Sequence, residues 1–166
     1  GIDGNTRITY EAAEGEHVVI KGSEVVEHWE KYQGTVWKTE ISNEVFGDYN
    51  PYQQEIFGDW LVDPRNYTVH TGEVYLDGKS FYEAADMEEL KSPQILYASR
   101  LETWAGREEK IREPENTIYK WFAEVKDDVT VIYANFHEKN PEEHLIEINV
   151  RKCCFYPDRI GVNYIT

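Results

Sequence analysis

Apolar residues recur at every second position in short runs, and turn-forming residues end each run within a few positions. Period two is the signature of a pleated strand with one face buried, so it restricts the chain to sheet architectures. The clearest run is 118–125, where Tyr119, Trp121, Ala123 and Val125 share one face. Lys120 and Glu124 lie on the other, beside Ile118 and Phe122. Lys126-Asp127-Asp128 reads as a turn, and 129–136 is rich in β-branched residues that suit a sheet. In 145–150, Ile146, Ile148 and Val150 alternate with Glu147 and Asn149. Val74-Tyr75-Leu76, then Asp77-Gly78, then Lys79-Ser80-Phe81-Tyr82 predicts a hairpin, because Asp-Gly tolerates the positive φ of a type I′ turn. Shorter extended stretches are expected at 8–12, 18–20, 36–37, 56–57 and 60–62, with Gly58-Asp59 as a bulge or turn between the last two. Helix is predicted only over 84–91, where Met87 and Leu90 are three apart and Pro93 is the stop. The segment 94–116 has mixed charge and little periodicity and reads as a long exposed insertion. The expected fold class is mostly β, a β-sandwich-like domain.

Charge narrows the function. Lys and Arg total 17 against 32 Asp and Glu, a net charge of −15. That argues against a general nucleic-acid or anionic-membrane binder, both of which need a basic surface. No stretch approaches the roughly 18 apolar residues of a membrane span. The five histidines form no H-x-x-x-H pair and there is no C-x-x-C, so neither a metal nor another cofactor is expected. The adjacent Cys153 and Cys154 read as small buried or half-buried thiols. They fit a reducing, cytoplasmic setting without requiring it, and the compartment stays open. No nucleophile elbow, phosphate-binding glycine loop or dinucleotide fingerprint is present. The paired acids at 108–109, 127–128 and 142–143 read as solvated turns. Both ends of the sequence look cut, as in a piece of something longer.

One loop has the composition of a sugar contact. Phe46-Gly47-Asp48-Tyr49-Asn50-Pro51-Tyr52 gathers aromatic, amide and carboxylate groups around Gly and Pro, and Phe57-Gly58-Asp59-Trp60 follows at once. A pyranose is held by one apolar face on an aromatic plane and by hydroxyls bonded to Asp or Asn. The competing reading makes Phe57 and Trp60 core residues and the tyrosines a plug at the end of the sandwich.

Several longer segments carry a resemblance. These are RITYEAAEGE at 7–16 with VVIKGS at 18–23, FGDYNPYQQEIFGDWL at 46–61, GEVYLDGKSFYE at 72–83, VIYANFHEKNPEEHLIEINVRKCCFYP at 131–157, and GVNYIT at 161–166. Together they resemble the β-xylosidases of glycoside hydrolase family 120, in which a right-handed parallel β-helix is interrupted early by an inserted β-sandwich-like domain. The resemblance implies an outgoing β-helix rung over 1–25, the inserted sandwich over 26–145, and a return into the β-helix over 146–166, both flanks truncated.

It also implies a division of labour. The family hydrolyses xylosides with retention, through an Asp nucleophile and a Glu acid/base about 5–5.5 Å apart. Both lie on later rungs, and no position here matches either. The implied function is a non-catalytic part of a β-xylosidase-like glycosidase, lending an aromatic wall to the carbohydrate pocket. Trp60 is implied to stack on the sugar, with Asp59, Asn50 and Tyr52 as expected polar contacts. The implied partners are a xylo-oligosaccharide and the remainder of the β-helix. The alternative is an interaction, homo-oligomerisation or carbohydrate-binding module of a β-helix protein with lyase or epimerase chemistry.

Overall fold

The computed structural model describes residues 9–58, 68–98 and 110–155. Nine short strands build two sheets: β1 (Ser23–Val25), β2 (Glu30–Gln33), β3 (Val36–Ser42), β4 (Val74–Leu76), β5 (Lys79–Ser80), β6 (Tyr82–Glu83), β7 (Lys120–Val125), β8 (Val129–Asn135) and β9 (Ile146–Asn149). One sheet runs β1-β9-β4-β5 and the other β2-β3-β8-β7-β6. All pairings are antiparallel except β6 with β7. Together they form the expected sandwich-like, mostly β domain.

The alternating residues do what their period requires. Trp121, Ile132 and Ala134 of the five-stranded sheet pack against Val74, Leu76, Ile146 and Ile148 of the four-stranded one. Phe136 and Trp29 meet edge to face beside them, with centroids 5.0 Å apart. The opposite face of the five-stranded sheet is covered too. There Val36, Val131 and Tyr133 pack with Ala84 and Leu90. Strand β8 is therefore buried on both faces, which is why Val131, Ile132, Tyr133 and Ala134 follow one another with no polar residue between them.

The predicted hairpin is β4–β5, with Asp77 at φ 52° and Gly78 at φ 80° in its turn. The helix is shorter than expected. Helix α1 covers Met87–Lys91, and Asp86 caps it by accepting from the amides of Glu88 and Glu89. Ala84 is excluded because its N–H bonds the Trp121 carbonyl at 2.8 Å, continuing the β6–β7 ladder. The 36–37 stretch is only the start of seven-residue β3, whose Lys38 and Glu40 hide the rest of the strand. Lys120, expected on a polar face, is buried, with its ammonium 2.8 Å from Glu89.

Several readings require correction. Residues 9–21 form no strand, and Val18, Val19 and Ile20 are 62%, 56% and 54% exposed. Apolar content alone makes no strand where the backbone has no ladder partner. Cys153 and Cys154 are exposed rather than buried, because they follow the last strand, β9. The flanks are not seen as β-helix rungs among the described residues. Of the segment 94–116, residues 99–109 lie outside the described residues, and Pro114–Ile118 is a 3-10 turn.

Asn135 ties the covering helix to β8. Its fully buried amide donates to the Leu90 carbonyl at 2.8 Å and accepts from the His137 N–H at 3.1 Å. Asn135→Ala leaves both backbone groups without these partners, and urea denaturation should show a loss of about 2–4 kcal/mol.

Candidate functional site

The loop after β3 is fastened to the sheet by amide side chains. Asn43 donates to the Lys126 carbonyl at 2.7 Å, and its Oδ1 accepts from Thr130 at 2.7 Å. Asn50 donates to Thr130 Oγ1 at 2.8 Å and accepts the Tyr52 N–H at 3.0 Å, a local turn typical of Asn. The Asn50 side chain thus engages the protein itself.

Tyr52 follows from that turn. It is 3% exposed, and its hydroxyl donates to the Glu73 carbonyl at 2.7 Å. Burial pushes that hydroxyl's pKa well above the usual tyrosine value. Its ring meets Trp121 at 5.3 Å and 89° and Phe46 at 5.8 Å and 63°. Only a glycine fits opposite: a Cβ on Gly72 would stand 2.6 Å from the Tyr52 ring and 2.8 Å from Trp121.

Beyond Tyr52 the chain is pinned to its own return. The Thr71 N–H donates to the Gln54 carbonyl at 2.9 Å, the Ile56 N–H donates to the Val69 carbonyl at 2.7 Å, and Glu55 and His70 form an antiparallel bridge. Glu83, at the end of β6, grips His70 twice, accepting the backbone N–H at 2.8 Å and lying 2.6 Å from Nδ1. Ile56 and Val69, on either side of the stretch 57–68, are therefore held together. Phe57, 78% exposed at its start, is not a core residue. Asp59 and Trp60 lie within 59–67, outside the described residues.

Of the four sequence-derived site residues, Asn50 and Tyr52 thus lie just before the Gln54–Thr71 and Ile56–Val69 anchors, with their polar side-chain groups bonded within the protein. His70, Glu73 and Glu83 were missed by sequence reasoning. His70 and Glu83 are 13 positions apart and in no motif, so nothing in the sequence pairs them.

The family described as the insertion domain of glycoside hydrolase 120 matches residues 26–148. The chain belongs to that family. A solved structure of XylC in complex with xylose matches with 47% identity and a TM-score of 0.90. The match covers 99% of this chain and 25% of that one, so the chain spans about a quarter of the solved protein's length. No curated protein sequence matches the chain. Against this family background, the aromatic residues of the insertion domain divide into a buried set around Trp121 and exposed ones such as Phe57.

Removing the grip on His70 should loosen the anchors. In Glu83→Ala the His70 amide should exchange with solvent about tenfold faster, as expected for loss of a hydrogen bond to a carboxylate, while core amides of β8 stay protected.

Glu73 gives the insertion domain a pH dependence. Burial chiefly, and the negative charge of Glu83, push its carboxyl from 4.5 to about 7, with the Ser80 hydroxyl acting the other way. The folded state thus holds a proton that the unfolded chain releases from about pH 4.5 upward, so this group's contribution to stability falls as pH rises to about 7 and then levels off. Glu73→Gln should match the parent stability near pH 4. Its advantage should grow through that window, read as a rising difference in denaturation midpoint.

Proposed function

We propose that the insertion domain is a non-catalytic wall of a carbohydrate pocket in a β-xylosidase-like protein. In this reading Trp60 stacks on one face of the sugar and Asp59 bonds a hydroxyl, while the catalytic carboxyls belong to the rest of the protein. Asn50 and Tyr52 serve the same site from beneath, by fixing the chain ahead of the two anchors. The observation that carries the reading is the likeness over nearly the whole chain to XylC, a protein solved with xylose.

Supporting observations concern how such a domain is joined. Strands β1 and β9 pair with each other, Ser23 opposite Asn149 and Val25 opposite Glu147. The chain thus enters and leaves the sandwich side by side, the arrangement that lets a domain interrupt a host fold. The residues before β1 and after β9 are assigned to that host, a parallel β-helix by family resemblance. Exposed Val18, Val19 and Ile20 provide apolar surface for it to cover.

Burying one sugar face on an indole contributes on the order of 1–2 kcal/mol, comparable with a few buried CH₂ groups. The wall alone therefore gives millimolar affinity at best. Titration of the chain with xylose and xylobiose, followed by indole fluorescence and by NMR, should give weak saturable shifts that Trp60→Ala removes. An aryl β-xyloside should not be turned over by the chain alone. Turnover that purification does not remove would overturn the non-catalytic assignment.

A further inference from the structure

A cavity of about 650 Å³ opens where Ile56, Val69 and His70 face the β5–β6 edge and the segment Ile111 to Asn116. Glu73 lines it too, two residues after Thr71. Its backbone is pinned on both sides. The N–H donates to Asn149 Oδ1 at 2.7 Å, and the carbonyl accepts the Tyr52 hydroxyl at 2.7 Å. Gly72, just before it, sits so close to the Tyr52 and Trp121 rings that even a Cβ would collide with them. Oε2 of Glu73 is buried and has no hydrogen-bond partner. An ionised carboxylate in that place holds an unsolvated charge, whereas the acid form leaves only a neutral group unpaired.

We propose that Glu73 is a proton switch for the anchors that join Gln54 and Ile56 to Thr71 and Val69: as the neutral acid it keeps them closed, and its ionisation opens them. With the backbone of Glu73 pinned, water reaches the new charge when Ile56, Val69 and His70 lift away on the cavity side. The switch does not rest on the proposed contact of Trp60 with sugar.

The surrounding charges favour that outcome. Glu83 of β6 is the anion that acts on Glu73. It is also the group that holds His70, through Nδ1 at 2.6 Å and the backbone N–H at 2.8 Å. Ionisation of Glu73 therefore puts a second negative charge beside the carboxylate that closes the anchors. The cations of the cavity serve another partner: Lys79 of β5 pairs with Glu113 at 3.0 Å, and Arg112 acts on Glu113 as well. The other groups around Glu73 are hydroxyls, from Ser80 of β5, Tyr75 of β4 and Tyr52 of the loop after β3. Burial pushes both phenols up, so they stay neutral over the range in which Glu73 titrates. Glu147 of β9, which acts on Tyr75, is paired with Lys21. An imidazole changes charge between pH 5 and 8. Any positive charge on His70 is thus lost while Glu73 ionises, and the cluster of Glu73, Glu83 and His70 only grows more negative.

In the closed form the Glu73 carboxyl is pushed up to about 7. An opening that returns it to its ordinary 4.5 becomes about fortyfold more favourable between pH 5 and pH 7, and gains little beyond. The test follows hydrogen exchange of the Ile56, His70 and Thr71 amides from about pH 5 to pH 8, each rate divided by that of an unstructured peptide at the same pH. Protection of these amides should fall about tenfold or more. The fall should level off at the pH where the Glu73 carboxyl itself titrates by NMR. At every pH they should exchange faster than the Ile132 and Ala134 amides of β8, which marks a local opening rather than unfolding. In Glu73→Gln, which stays neutral, the same ratio should change less than about threefold. An equal fall in Glu73→Gln would assign the effect to His70 and overturn the switch. So would exchange no faster than that of β8, or a Glu73 midpoint near 4.5. A midpoint near 7 with constant protection would mean that the side chain turns into the cavity alone, which also overturns it. Glu83→Gln supplies a second reading that needs no change at Glu73. Removing that charge should move the Glu73 midpoint and the levelling point down together, and a levelling point that stays behind would sink the coupling.

Discussion

The edge-on contact between Tyr52 and Trp121 joins the parts of this molecule that sequence keeps apart. Trp121 belongs to the five-stranded sheet, and the Tyr52 hydroxyl reaches the Glu73 carbonyl, one residue before β4 of the four-stranded sheet. A single side chain from a loop thus spans both layers. Its ring buries apolar area between them, and its one polar atom is satisfied at the far side. Gly72 is what allows that approach, since any side chain there would collide with both rings. Just beyond this contact the chain is bonded to its own return, Gln54 to Thr71 and Ile56 to Val69.

The second organising contact closes the chain on itself. Glu147 is almost buried in β9 and receives the Lys21 ammonium at 2.9 Å and the Ser23 hydroxyl at 2.9 Å. The hydrogen bond from Lys21 chiefly holds its carboxyl below the ordinary range. Arg151 pairs with Glu24 on the same seam. These bonds hold the first and last strands together at the level of β1, so the sandwich has its own closure. The apolar residues just outside that seam stay exposed, with Tyr10 against Phe155 and Cys154 near the Ile20 carbonyl.

How far the sequence could be read depended on where the burial signal was local. The hairpin at Asp77-Gly78 and the alternation of β7 and β9 were legible because a strand's face is written every second residue. Strand β3 was half hidden, since Lys38 and Glu40 interrupt its apolar positions while still pairing across to β8. Lys120 was misplaced because its partner, Glu89, comes from a helix 31 positions away, and only that carboxylate makes its burial tolerable. The stretch 18–20 looked like a strand and is none, since no neighbouring backbone pairs with it among the described residues. At the candidate site, the loop was visible from its Gly, Asn and Pro, but its fastening through His70 and Glu83 was not.

By itself, then, the sequence determined the class of structure, the main strands, the turn chemistry and the family to which the chain belongs. Those depend on short-range patterning and on long matching segments. The tertiary structure alone decided that Tyr52 is a core strut, that Asn50 bonds its own protein, and that Glu73 lies with one oxygen unpaired beside a cavity. Each depends on what a side chain meets across the fold. Desolvation and hydrogen-bond satisfaction are properties of that meeting, and no spacing along the chain records them.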